Sequence, residues 1–169
     1  MTNNKLILLS ILTLAFSNPL KGLYVSYDAT ATAAIDVLGI NAEVDYDSGA
    51  LAVWYDFPVA NNIAIGASFD LIKMQGDGSD AGDGFLNIYG KYTFPINPMF
   101  SAWAIGGYNL PQGDVDEFDG GISYGAGVKM NNGIGVSYVI HNISMSESVD
   151  GVSLSMDATI SRLTLSYSF

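Results

Sequence analysis

Residues 121–143 read GISYGAGVKMNNGIGVSYVIHNI, and the pattern in them decides the fold. Ile122, Tyr124 and Val128 share one face of an extended chain, while Ser123, Gly125, Gly127 and Lys129 share the other. After Asn131-Asn132-Gly133 the alternation resumes, with Val136, Tyr138 and Ile140 apolar and Gly135 opposite in parity. A period of two is the mark of a strand, and a three-residue break with glycine is the mark of a hairpin. If the turn pairs its flanks, Met130 faces Ile134 and Ser123 faces His141.

Working outward, the same period recurs from residue 22 to the end, with no convincing helical periodicity. Eight strands are expected: 22–30, 50–57, 63–74, 85–94, 99–109, 121–130, 134–143 and 153–169. Most run about ten residues, the length of a tilted membrane crossing by a strand. Their connections alternate. Residues 58–62, 95–98 and 131–133 are tight turns, whereas 31–49, 75–84, 110–120 and 144–152 are long and polar. That rhythm predicts an all-β, eight-stranded antiparallel up-and-down transmembrane β-barrel.

Pairing the tight turns places Phe57 opposite Ile63 and Phe94 opposite Met99. Extended along the strands, this gives an apolar face of Leu51, Val53, Tyr55, Ile65, Phe69, Leu71, Leu86, Ile88, Tyr92, Trp103 and Ile105, continued by Ile122, Tyr124, Val128, Val136, Tyr138 and Ile140. An eight-stranded ring is too narrow to hold so many large side chains, so this face is expected to meet lipid. Trp54 falls on the inner face, opposite Gly66.

The chain ends Arg162-Leu163-Thr164-Leu165-Ser166-Tyr167-Ser168-Phe169, again alternating. Together with an N-terminal leader, this ending resembles the small bacterial outer-membrane β-barrel proteins, the OmpA membrane domain and OmpX-like porin family. The resemblance covers the whole mature chain. It implies an outer-membrane location, and recognition of Leu163, Leu165, Tyr167 and Phe169 by the barrel-assembly machinery. It also implies contact with outer-membrane lipids and lipopolysaccharide by a monomeric chain. Above Arg162 the parity puts Ser155 and Asp157 outward, which predicts either a bulge near Ile160 or a strand that stands beyond the membrane.

The leader is residues 1–17: Lys5, an apolar run from Leu6 to Phe16, and small residues Ala15 and Ser17 around a cleavage point. This fits a secretory signal peptide, leaving 18–169 as the barrel. The apolar run is too short to span a bilayer.

Composition agrees. Of the 169 residues, 49% are hydrophobic and only 14% charged, against about 25% charged in ordinary soluble domains. The chain is hydrophobic on average. Seventeen acids against six bases give a net charge of -11, which excludes a phosphate-tracking, nucleic-acid-binding role. No cysteine is present, so thiolate metal sites and cysteine nucleophiles are excluded. No cofactor or metal is called for.

The inner face carries Asp28, Asp56, Asp70, Lys91, Lys129 and Arg162, whose charges sum to zero. A balanced interior network reads as a plug filling a closed barrel, with an electrostatic gate or narrow ion path as the rival. Gly121-Ile122-Ser123-Tyr124-Gly125 matches the Gly-x-Ser-x-Gly elbow, and His141, the only histidine, lies opposite Ser123. A lipid-modifying hydrolase on these two residues is the other rival. The elbow requires a strand-to-helix turn that an alternating segment lacks, so no enzyme is expected. The long connections hold 13 of the 17 acids, Asp36, Glu43, Asp45, Asp47, Asp77, Asp80, Asp83, Asp114, Asp116, Glu117, Asp119, Glu147 and Asp150, without the calcium-loop ladder. They read as solvated loops, or as carriers of divalent cations bridging to lipopolysaccharide.

Overall fold

The computed structural model describes residues 22–76, 82–149 and 152–169. The leader 1–17, together with Asp77, Asp80 and Asp150, lies outside the described residues. Nine antiparallel strands follow in order: β1 (Leu23–Val37), β2 (Ile40–Asp45), β3 (Leu51–Ala60), β4 (Ile63–Ile72), β5 (Asp83–Asn97), β6 (Phe100–Gly113), β7 (Gly121–Met130), β8 (Ile134–Val149) and β9 (Val152–Ser168). Neighbours in sequence pair with one another except that β1 pairs with β3, and β1 also pairs with β9, closing the ring.

One edge of β1 is taken by β9 from Tyr24 to Val37. The other is shared, with β3 beside Leu23–Tyr27 and β2 beside Thr32–Val37. β2 and β3 are thus one barrel position interrupted at residues 46–50, and the ring has eight positions. The segment expected as a loop, 31–49, is instead a hairpin. Leu38 and Gly39 both have positive φ, 53° and 85°, which builds the tight turn whose twist matches the strands. Asp36 Oδ1 accepts the Gly39 N–H at 2.8 Å and fixes it.

Two of the three expected turn registers shift. Phe57 pairs with Ile65, a slip of two that leaves every face unchanged. Phe94 pairs with Ala102 rather than Met99, a slip of three that reverses β6. The cause is local: β5 runs on to Asn97, whose Oδ1 accepts the N–H groups of Met99 and Phe100, so the turn is only Pro98-Met99. Trp103 and Ile105, expected in lipid, are therefore interior, at 6% and 7% exposure. The β7–β8 register is as expected, and Ser123 pairs with His141. Trp54 is buried inside, but it pairs with Ser68; Gly66 stands opposite Asp56.

The outward face of the ring is apolar all round. Ile65, Phe69, Ile88, Ile122, Tyr138 and Leu165 are all exposed, a belt no water-soluble sheet would present. Edge-to-face pairs Tyr55–Phe57, Tyr92–Phe94 and Tyr167–Phe169 gird the end that holds the short turns. This is a transmembrane β-barrel.

At the opposite end, β8–β9 and β1–β2 rise as an extension. The β8–β9 register runs unbroken from Ile134↔Tyr167 to Val149↔Val152. The only shift along β9's other edge is in β1, between Asp28 and Thr30. No bulge therefore occurs near Ile160, and Asp157 simply points outward, opposite Asp36 and Ser144. Polarity inverts in this extension: its outer face is polar, and its inner face buries Ala31, Ala33, Ile143, Ala158 and Ile160 against Met74 and Phe85. Tyr46, Val115 and Phe118 pack over that cluster and cap the lumen.

A Cβ at Gly66 would run into the Tyr89 ring. Gly66→Ala is expected to cost about 1 to 3 kcal/mol in urea unfolding from lipid vesicles, since interior strands and ring cannot both give way. Ala67→Val, on the lipid side of the same strand, should cost nothing measurable. Equal stability of the two variants would contradict the packing of Tyr89 over β4.

Candidate functional site inside the barrel

Alternation places every second residue of eight strands in one narrow lumen, and these side chains occupy it in layers. Nearest the short turns, Lys91 Nζ lies 2.7 Å from Asp56 Oδ2, and the Tyr89 hydroxyl donates to Asp56 Oδ1 at 2.7 Å. The Lys91 ammonium also sits 4.7 Å from the Tyr24 ring centroid and 4.8 Å from that of Trp103, a cation–π pocket. Next comes an apolar and aromatic layer. Tyr24 stacks on Trp54 at 5.6 Å, and Trp54 meets Tyr89 at 5.3 Å. The Trp54 indole N–H donates to Ser26 Oγ at 2.8 Å.

Above that layer Arg162 spans the lumen. Its Nε donates to Asp28 at 2.6 Å, and its two terminal nitrogens form a fork onto Asp70 at 3.0 Å each. The carboxylates are held in turn: Asp28 accepts from Thr164 Oγ1 and Ala50 N, and Asp70 accepts from Phe85 N. A guanidinium suits the position because its planar donors satisfy two carboxylates at once, which an ammonium could not do bidentately. All three side chains are at most 4% exposed. The six expected interior charges thus split into two groups. Arg162 with Asp28 and Asp70 sums to -1, and Lys91 and Lys129 with Asp56 sum to +1.

Beside the arginine, Ser123 and His141 are both buried, at 1% and 0% exposure, and His141 stacks on Phe85 with centroids 4.4 Å apart. Among the described residues, Ser123 Oγ and both imidazole nitrogens have no hydrogen-bond partner. The two residues face each other across strands, but among the described residues no carboxylate orients the imidazole.

Leu163, Leu165, Tyr167 and Phe169 form one outward stripe on the final strand, all exposed. In the capping region, Asp83 accepts a 2.6 Å hydrogen bond from the Tyr46 hydroxyl. Burial raises the Asp83 carboxyl from its ordinary value, and the Tyr46 hydrogen bond opposes that rise. Burial, then Asp83 itself, pushes the Tyr46 hydroxyl up. Asp114 Oδ2 accepts from Gly82 N at 3.2 Å, so this acid braces a loop. Among the described residues, no three acid or histidine side chains converge as a metal site would require.

The sequence reading missed the aromatic partners of Lys91. Tyr24 was legible, since it shares the parity of inward Asp28 on the first strand. Trp103 was not, because its face depended on the Pro98-Met99 turn.

No protein-family model and no curated protein matches the chain. Among solved structures, Neisserial surface protein A (NspA) superposes over 88% of this chain and 98% of its own, with a TM-score of 0.52 at 12% identity. The chain has the small outer-membrane β-barrel fold. The attachment invasion locus protein Ail of Yersinia pestis aligns more loosely, over 85% of this chain and 99% of its own, with a TM-score of 0.39 at 14% identity.

Replacing Arg162 by Met strands two buried carboxylates, and such a loss typically costs about 3 to 5 kcal/mol. Asp70→Asn in the same chain should recover part of it. Unfolding titrations of the single and double variants measure the coupling, and strictly additive losses would show that Arg162 and Asp70 do not interact.

Proposed function

We propose that the chain is an integral outer-membrane protein that does no chemistry and conducts no ions. Its role on this reading is structural or interactive at the cell surface, through the extension and its capping loops. The observation that carries the reading is the closure of the lumen. Arg162 ties β9 to β1 and across to β4, and the Ile143–Ile160–Phe85 cluster with Tyr46, Val115 and Phe118 lies above it. A ring of eight strands has a lumen only wide enough for side chains, and a filling of this kind supports a plug rather than a pore. The likeness to a protein named for its surface location supports the same compartment.

The rival readings find less support. For an ion or solute channel, the lumen would have to open through both the arginine cluster and the apolar cap. For a lipid-modifying hydrolase, Ser123 would have to reach an acyl chain, yet it is buried inside the ring and its partner histidine is covered by Phe85. Outer-membrane lipid and lipopolysaccharide are the partners proposed for the apolar belt, and the barrel-assembly machinery for the stripe Leu163, Leu165, Tyr167 and Phe169. The acidic outer loops are proposed as solvated, and no nucleic acid or cofactor enters this role.

The chain should fractionate with outer membranes and migrate differently on gels when unheated and when boiled, because a closed hydrogen-bonded ring resists detergent. Recovery as a soluble periplasmic monomer would overturn the assignment. In planar bilayers the wild-type protein should give no steady conductance, and the Ser123→Ala variant should match wild type in an acyl-release assay. Deleting Phe169 should lower the assembled, heat-modifiable fraction far more than total synthesis.

A further inference from the structure

The described residues leave the lumen open at its short-turn end. There a cavity of about 420 Å³ opens among Lys91, Lys129, Asp56, Tyr24, Trp103 and Ser166, a volume within the range of small-molecule pockets. Its electrostatics are unbalanced. Both oxygens of Asp56 are engaged, one by Lys91 and the other by the Tyr89 hydroxyl. Lys129 lines the same cavity from β7 and forms no ion pair among the described residues. It is near enough to feel both the Lys91 ammonium and the Asp56 carboxylate. Two ammonium groups against one carboxylate leave a net +1 in a half-enclosed mouth, where a charge is screened less than at an open surface.

The surroundings define what would neutralise it. Ser166 and Ser168, with hydroxyl donors, and the aromatic residues Tyr24 and Trp103 line the same cavity. The cluster of Arg162 with Asp28 and Asp70, net -1, stands deeper, beyond the aromatic layer, and repels an anion that would pass further in. A cation would be repelled at the mouth itself. We propose that this mouth binds a small organic anion, a carboxylate or phosphate head on a flat apolar body, with Lys129 recognising the charge. The head could belong to a soluble molecule or to an inner-leaflet phospholipid, since the chemistry is shared. This site is separate from the closed lumen above it and does not depend on the surface role.

The test uses the full mature chain in phosphatidylcholine nanodiscs at low salt, with phenyl phosphate as probe and benzyl alcohol as its neutral control, read by tryptophan fluorescence. Phenyl phosphate should bind saturably. Lys129→Gln should weaken it about tenfold or more, while Lys129→Arg should hold it within about threefold. Heat-modifiable migration of each variant shows that the ring is intact. Adding phosphatidylglycerol to the discs separates the sources: competition with the probe supports a lipid head, and unchanged probe binding supports a soluble anion. Absence of saturable binding up to ~10 mM probe, equal affinity of the Gln variant, or equally tight binding of the neutral control would overturn the proposal.

Discussion

Every backbone N–H and C=O of a strand in hydrocarbon must find its partner within the sheet, because lipid offers none. The β1–β9 ladder from Tyr24↔Ser168 to Val37↔Met156 meets that demand by joining the first and last strands, and the rest of the architecture follows from it. A closed ring of eight has a lumen only wide enough for side chains. Interior residues must therefore pack, as Trp54 and Tyr89 do, or pair, as Arg162 does with Asp28 and Asp70.

The same closure explains why polarity reverses along the barrel axis. Within the apolar belt the outside is hydrophobic because lipid is the outer solvent, and the charged side chains lie inside, above and below an aromatic layer. In the extension the outer face carries Asp36, Ser144 and Asp157, while Ile143, Ala158 and Ile160 are buried beneath it. There the outer solvent is water, and the strands behave as those of an ordinary half-buried sheet. One pair of continuous strands, β8 and β9, crosses from one regime to the other with no change of register.

The interior charges cancel in sum but not in place. The arginine cluster is one negative charge in excess and the Lys91–Lys129–Asp56 group one positive charge in excess, with Tyr24, Trp54, Tyr89 and Trp103 between them. Buried ion pairs of this kind contribute little net stability compared with apolar packing of the same volume. Their effect is to fix geometry: the Asp70 fork and the Asp28 bond together hold β9, β1 and β4 in one register.

Period-two alternation, short turns between strands and the outward stripes of Tyr138, Ile122 and Leu165 were determined by the sequence alone, because side-chain direction in a strand depends only on parity. The same parity put Asp28, Asp56, Asp70, Lys91, Lys129 and Arg162 inside, and set Ser123 against His141. Parity between strands depends instead on turn length, and there the tertiary structure decided. Asn97 capping Met99 and Phe100 slipped the β5–β6 pairing by three and turned Trp103 inward. The hairpin at Leu38-Gly39 leaves a trace in the sequence, since Ile35 and Val37, then Ile40, Val44 and Tyr46, alternate with polar residues, but its two strands are set by pairing, β1 with β2 on one edge and with β9 on the other. Which acid meets which base was decided by the stagger of strands around a closed ring, because Arg162 and Asp70 are 92 residues apart in sequence and meet only once that ring has closed.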